Sequence, residues 1–361
     1  MPPATVSRVP LRGEDLNITD WKGSKANNLL ENSGMTTGVY LDEETTDPTQ
    51  RYKISTGTNG AGGIATSADG LTWTNNKDLE KMTHARWDTP KNTVWDPINK
   101  QWIIYVRSTP TENGLEAGSM RIQSFTHSLT DDFMGAWAPA TPTGLNTSLN
   151  YEPDGLVVWP YEGIYIGIGN VFNPSSTMAP SGAVVGQVNT VLGWSADGRR
   201  WKWLKPNDSF MPLGKAGDFD ACGTFGAKQD PLRTGANNDT LRFYYTGCNG
   251  PFFGSRGCAL GMAHIQRDGW AGYSGGSVMT APARVISGVL KVSVDGGAKG
   301  IQIGIFGSTG STIAACDPIV GKVVDHTVTW KGDSDLSKMV NGAVMLEWKI
   351  PSDATAFAYS M

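Results

Sequence analysis

The sequence lacks most of the features that fix a function quickly. It has no run of about 18 apolar residues, so no membrane-spanning helix is expected. No charge of one sign dominates. The 30 Lys and Arg stand against 34 Asp and Glu, a net charge of −4, which gives no electrostatic footprint for nucleic acid or an anionic membrane. Histidine is scarce: His84, His127, His264 and His326 are far apart, with no H-x-x-x-H or H-E-x-x-H spacing. The four cysteines include no C-x-x-C pair. Transition-metal chemistry is therefore not expected, and no cofactor is called for. An Asp-rich channel would offer the oxygen donors that a structural Ca²⁺ takes. The opening "MPPATVSRVP" lacks the apolar core of a signal peptide. The expectation is an extracellular or secretory-pathway protein whose leader is not in this chain, with a cytosolic protein as the alternative. Long helical periodicities are missing as well.

What is present points to strands. Gly numbers 45, Pro 20 and Trp 13 among 361 residues. Short apolar or aromatic runs alternate with turn residues, as in "QWIIYVRS", "GLVVWP", "GIYIGIGNV", "NTVLGWS" and "LRFYYTG". That pattern predicts an all-β sandwich, barrel or propeller. One string recurs. "SADGLTW" starts at Ser67, the looser "SLTDDFMGAW" at Ser128 and "SADGRRW" at Ser195, 61 and 67 residues apart. "RDGWAGY", from Arg267, is a fourth, weaker echo. Ser and Asp accept backbone N–H groups in a tight turn, Gly supplies a positive φ, and Trp packs beneath. The string therefore predicts a hairpin lock placed once per four-stranded blade, an architectural device without a catalytic role.

Several strings resemble the five-bladed β-propeller proteins related to glycoside hydrolase families 32, 43 and 68. They are "KGSKANNLL", "GVYLDEETTDPTQRYKIS", "GIATSADGLTW", "RWDTPKNTVWDPINKQWIIYVR" and "RDGWAGY". The resemblance implies a five-bladed, here incomplete, β-propeller over residues 1–274. The composition changes near residue 275, where Gly-punctuated alternation takes over, and residues 275–361 are similar to the family's C-terminal β-sandwich. Related proteins often carry a further blade upstream, and this chain starts about where that blade would end.

A propeller glycosidase gathers carboxylates from the first strands of different blades at one mouth of the channel. Asp88 falls fifteen residues after Trp73, Glu152 fifteen after Trp137, and Asp218 seventeen after Trp201, with Asp220 close behind. Asp42 follows the apolar run in "GVYLDEE". This recurrence makes Asp88, Glu152, Asp42 and Asp220 the candidate catalytic residues. The resemblance implies Asp42 as nucleophile, Asp88 as stabiliser and Glu152 as acid, although the Asn-Asp-Pro-Asn-Gly string expected around the nucleophile is absent. Arg86, Trp87, Tyr151, Asp218 and Arg107 are the candidate substrate-binding residues, and Trp95 and Trp159 could also stack on sugar faces. Each of these residues more often packs in a core or between blades. Asp96 in "VWDPINKQW" is expected to be a hairpin-turn residue.

Cys248 and Cys258 bracket the Gly-rich "NGPFFGSRG". A disulfide there would staple a long loop and imply an oxidising compartment, and two thiols is the alternative. Sequons at Asn17, Asn146, Asn207 and Asn238 permit a secreted glycoprotein. The expected function is a glycoside hydrolase or transglycosidase with a carbohydrate partner, acting on neither nucleic acid nor membrane. The alternatives are a non-catalytic glycan-binding or structural propeller and, with Tyr151, His84 and Arg86, a polysaccharide lyase.

Overall fold

A computed structural model describes residues 5–7, 23–24, 37–56, 62–83, 85–110, 122–145, 152–173, 186–226, 230–252, 256–306, 312–338, 340 and 342–361. The chain is all-β, with propeller-type sheets followed by a β-sandwich. It divides into two compact units. The larger holds Ala4–Asp230 and Phe243–Ala263, and the smaller Met1–Pro3, Pro231–Arg242 and His264–Met361.

The first strand is β1 (Thr5–Ser7). A four-stranded antiparallel meander follows: β2 (Thr37–Leu41), β3 (Tyr52–Thr56), β4 (Gly63–Ser67) and β5 (Thr74–Asp78). After one helical turn, α1 (Glu80–Thr83), comes a second: β6 (Ala85–Asp96), β7 (Gln101–Pro110), β8 (Ile122–His127) and β9 (Thr141–Pro142). A third comprises β10 (Glu152–Tyr161), β11 (Ile164–Asn173), β12 (Gln187–Ser195) and β13 (Lys202–Trp203). In the fourth, β14 (Gly223–Gly226) pairs β16 (Thr240–Cys248), which pairs β17 (Cys258–Gln266), which pairs β1. The short β15 (Leu232–Thr234) also pairs β16. A single parallel pairing, Val188 with Gly223, joins the third sheet to the fourth. Of the five blades expected, four such sheets lie among the described residues.

Strand β7 shows why these sheets stack as blades. Its run Trp102–Val106 is wholly buried. Trp102, Ile104 and Val106 enter one core, with Ile64 of the first sheet, Trp87, Phe133 and Trp137. Ile103 and Tyr105 enter another, with Leu156, Val158, Tyr165 and Trp201 of the third. Side chains alternate across a strand, so a sheet covered on both faces needs a continuous apolar run. The second sheet is thus packed between the first and third, and the first strands β2, β6 and β10 are successive neighbours.

The expected locks form where the sequence repeats. Asp69 accepts the N–H groups of Leu71 and Thr72, both at 2.8 Å, and the Ser67 hydroxyl at 2.9 Å. Asp197 accepts those of Arg199 at 2.9 Å and Arg200 at 2.8 Å, and the Ser195 hydroxyl at 3.0 Å. Gly198 has φ +70°, and a Cβ there would meet Tyr165 at 3.2 Å. Trp201 and Trp137 pack beneath their turns, whereas Trp73 is only half-buried. The fourth echo is a different device and lies in the smaller unit. Arg267 donates its N–H to Asp239 O at 2.7 Å and its guanidinium to Asp325, while Asp268 accepts the Ser293 hydroxyl at 2.6 Å.

The smaller unit is built on β18 (Tyr273–Met279), β19 (Ala283–Arg284), β20 (Lys291–Asp295), β21 (Gln302–Phe306), β22 (Thr312–Ala315), β23 (Lys322–Thr327) and β24 (Ala343–Ser360). The long β24 pairs with β21 and β19 along its first half and β20 along its second, and with β18 on both. Val292, Val294, Ile303, Ile305, Leu346 and Trp348 close the core.

Candidate active site

The site is built where β6 and β10 begin. Asp88 on β6 stands opposite Arg107 on β7, which stands opposite Gln123 on β8. Directly opposed residues share a face, so these three side chains form a row turned toward the third sheet. Arg107 donates from Nη2 to Asp88 Oδ2 at 2.6 Å, and from Nη1 to Oδ1 of Asp154 on β10. One guanidinium fork thus holds two carboxylates from adjacent first strands. The Arg107 and Asp154 side chains are only 9% and 5% exposed, whereas that of Asp88 is 37% exposed. Arg107 Nε and Gln123 Oε1 are buried without a hydrogen-bond partner among the described residues.

Two bulges create this meeting. The β6–β7 register slips between Asp88 and Lys91, and the β10–β11 register slips between Pro153 and Gly155, leaving Asp154 as the extra residue. A bulge re-aims a side chain, and here it turns Asp154 onto Arg107. The two irregular stretches nest, since a Cβ at Gly155 would lie 2.2 Å from Pro90 Cγ. Only glycine permits that approach.

Lys91 is buried on β6, and the cost of desolvating its ammonium lowers its pKa to about 8. Asp88 and Glu80 oppose that shift, while Arg107 adds to it. Glu80, in α1, is itself buried and accepts the Trp87 N–H at 2.9 Å.

The other expected residues fall into three groups. Glu152 opens β10 opposite Phe172, half-buried and two residues from Asp154. Asp42 is elsewhere. Its carboxylate accepts from Lys53 Nζ at 2.6 Å, and that ammonium lies 4.9 Å from the centre of the Trp102 ring. Trp102 opposes Trp95 at the hairpin end of β6, five residues along β7 from Arg107 and so about 17 Å from it at ~3.3 Å per residue. Asp42 follows the end of β2, whereas Asp88 and Glu152 sit near the starts of β6 and β10 and Asp218 and Asp220 lie in the turn before β14. No lock precedes it in the sequence to set its phase.

Asp220 is fully buried and accepts the Tyr245 hydroxyl at 2.7 Å. Asp218 closes a local turn by accepting the Lys215 N–H at 2.8 Å. Trp87 faces the core of the first two sheets with no accessible surface, and its indole N–H donates to Thr83 Oγ1 at 3.1 Å. It offers no ring face to a sugar, and Trp159 is buried likewise. Arg86 is paired through its backbone with Thr109 on β7, its side chain being outside the described residues, as are Tyr151 and His84. Asp96 is the expected turn residue, accepting the N–H groups of Ile98 and Asn99 at 3.0 Å each.

Sequence reasoning missed Asp154, Lys91 and Glu80. Asp154 was visible in "NYEPDG": an acid between a strand Pro and a strand Gly marks a bulge. Nothing in the sequence separates Lys91 from a solvated lysine.

The same end of the larger unit carries a second feature. A row of directly paired residues runs Glu152, Phe172, Val188, Gly223 and Cys248 across β10, β11, β12, β14 and β16. Cys248 forms a disulfide with Cys258. Among the described residues no group of three or more His, Cys, Asp or Glu could hold a metal ion, and no helix is long and apolar enough to cross a membrane. Asn207 and Asn238 are exposed, and the other two sequons lie outside the described residues.

No family model matches the chain, and no curated protein matches it. Solved structures do. One described as a glycoside hydrolase is similar at a TM-score of 0.41 and 14% identity over 58% of this chain and 61% of that one, so the chain spans less than two thirds of its length. The exo-β-1,3-galactanase of Phanerochaete chrysosporium, in a crystal structure with galactose, is similar over 99% of both chains at a TM-score of 0.32 and 8% identity. The family 32 β-fructofuranosidase of Bombyx mori is similar over 85% of this chain and 76% of its own, at a TM-score of 0.35 and 10% identity. Glycoside hydrolases are what the sequence resemblance implies, and at these scores the likenesses assign no residue a role.

Proposed function

We propose that the protein is a glycoside hydrolase or transglycosidase, acting on an oligo- or polysaccharide where β6 and β10 begin. The observation that carries this reading is the meeting of Asp88 and Asp154 on Arg107, with Glu152 two residues away. A guanidinium favours the charged form of a carboxylate. Asp88, the more exposed of the pair, is therefore suited to be the nucleophile or the base on water. Glu152 is suited to give its proton to the leaving oxygen. In a single displacement, Asp88 takes a proton from water as the water oxygen bonds to the anomeric carbon. The glycosidic bond breaks, and its oxygen takes the proton of Glu152. In a double displacement, the Asp88 carboxylate itself forms the new bond and water later releases the sugar. Asp154 and Arg107 position Asp88 and are not themselves reacting groups. The chemistry belongs to the propeller, residues 1–274, and residues 275–361 support it. The Cys248–Cys258 disulfide favours an extracellular or secretory location.

The rival reading is a non-catalytic glycan-binding propeller. The placement of Asp42 far from the Asp88 end favours it, because one acid of the expected set is then missing. Product analysis on plant, algal and fungal glycans separates the two. Sugar release by the wild type, lost in both Asp88→Asn and Glu152→Gln, supports the hydrolase. Glycan retention without product, unchanged by either substitution, supports the binder.

A further inference from the structure

We infer that Arg256, seated on two phenylalanine rings beside the carboxylate site, is a subsite for an anionic sugar unit, one carrying a carboxylate or a sulfate. This rests on the reading of the site as a glycan site and names a substrate class for it. The guanidinium carbon of Arg256 lies 5.0 Å from the centre of the Phe252 ring and 5.7 Å from that of Phe225. The Phe252 ring lies 4.9 Å from that of Phe172, the residue paired with Glu152. Phe172 and Glu152 share a face, and opposed Cβ atoms lie ~5 Å apart, so the steps from Glu152 through Phe172 and Phe252 keep the Arg256 guanidinium within roughly 20 Å of Glu152. An extended oligosaccharide of a few units covers that span.

The stretch that bears Arg256 is anchored at several points. The disulfide closes residues 248–258. Inside it, Asn249 donates its N–H to Gly257 O at 3.0 Å, and Gly257 donates its own to Asn249 Oδ1 at 2.8 Å. Phe252 donates its N–H to Gly186 O at 3.1 Å.

Arg256 is exposed, and no ion pair joins it to a carboxylate among the described residues. Stacking on aromatic faces occupies the flat faces of a guanidinium and leaves its N–H edge outward, in the fork that matches a carboxylate or sulfate. A side chain already ordered by its rings loses less entropy when a ligand arrives.

Calorimetric titration of the full, disulfide-bonded chain tests this with three probes of equal length: a trigalacturonide, a sulfated carrageenan oligosaccharide and a neutral galacto-oligosaccharide. The expected result is that at least one acidic probe binds the wild type about tenfold or more tightly than the neutral one, with a preference that weakens as salt rises. Arg256→Gln should abolish that preference with the thermal midpoint unchanged, and Arg256→Lys should restore only part of it. The better of the two acidic probes decides between carboxylate and sulfate. Equal binding of acidic and neutral probes, or an acidic preference that survives Arg256→Gln, overturns the subsite. Binding is read without turnover, so the two proposals fail separately. Acidic preference through Arg256 with no product from any glycan sinks the hydrolase alone. Hydrolysis of neutral glycans with no acidic preference sinks the subsite alone.

Discussion

Arg107 holds two carboxylates with one positive charge, and its removal would leave Asp154 charged and buried without the guanidinium that neutralises it. Arg107→Met should therefore cost about 3–5 kcal/mol, the usual consequence of stranding one partner of a buried ion pair. Pairing it with Asp154→Asn should recover more than half of that loss in urea unfolding. Simple additivity of the two substitutions would mean that the contact carries no coupling. Lys91 makes a different prediction. Its folded pKa of about 8 lies below the ordinary 10.5, so between those values the unfolded chain holds a proton that the folded chain has lost. Stability then rises with pH across that window, by roughly 3 kcal/mol at most from this group. Lys91→Met lacks the contribution. The stability of the wild type relative to this variant should climb between pH 8 and pH 10, and a flat difference would show that Lys91 does not titrate there. Neutralising Lys91 also removes a cation beside Asp88, so kcat/KM should fall above about pH 8 in the wild type but not in the variant.

At the scale of strands, the locks and the strand starts were legible because their causes are local. Ser67 with Asp69 and Ser195 with Asp197 close their turns within a few residues, and counting from each lock placed Asp88 and Glu152 on the first strands of their sheets. Asp154 carried a bulge signal in the sequence but its direction was not legible, and Arg107 was expected as a substrate-binding arginine rather than as the link between two first strands. Trp87 misled for a related reason. Both faces of the second sheet are buried, so an aromatic on β6 has the same sequence signature whether it packs or stacks on a sugar. The nesting of Gly155 against Pro90 gives a test at this scale. Gly155→Ala would force a Cβ to within 2.2 Å of Pro90 Cγ and part β6 from β10. Overpacking of this kind costs about 1–3 kcal/mol. It should also lower kcat/KM by more than its effect on stability explains, because Asp88 and Asp154 are held by the two strands being parted. Gly226→Ala is the control, since its Cβ would meet nothing closer than 3.3 Å. Equal losses in the two variants would break the link between the bulges and the site.

Over the whole molecule, the change of composition near residue 275 invites a cut there, and the contacts within the smaller unit predict what such a cut does. Residues 264–274 belong to the same compact unit as the sandwich strands that follow. Gln266 donates from its side-chain amide to Val294 O at 3.2 Å and to Val323 O at 2.9 Å. Arg267, buried, pairs with Asp325, and Asp268 accepts from Ser293. Tyr273 and Ser274 pair with Ala356 and Thr355 on β24. A chain ending at Ser274 loses every one of these partners at once and leaves the strand-pairing groups and side chains of residues 264–274 to water. That shortened chain should accumulate largely in the insoluble fraction. The full chain carrying Arg267→Met should stay soluble with a lowered thermal midpoint, because it loses the ion pair but keeps β18 and the Gln266 contacts. If the chain cut at 274 instead unfolds cooperatively at the midpoint of the full protein, the contacts of residues 264–274 are dispensable and the propeller stands without the sandwich.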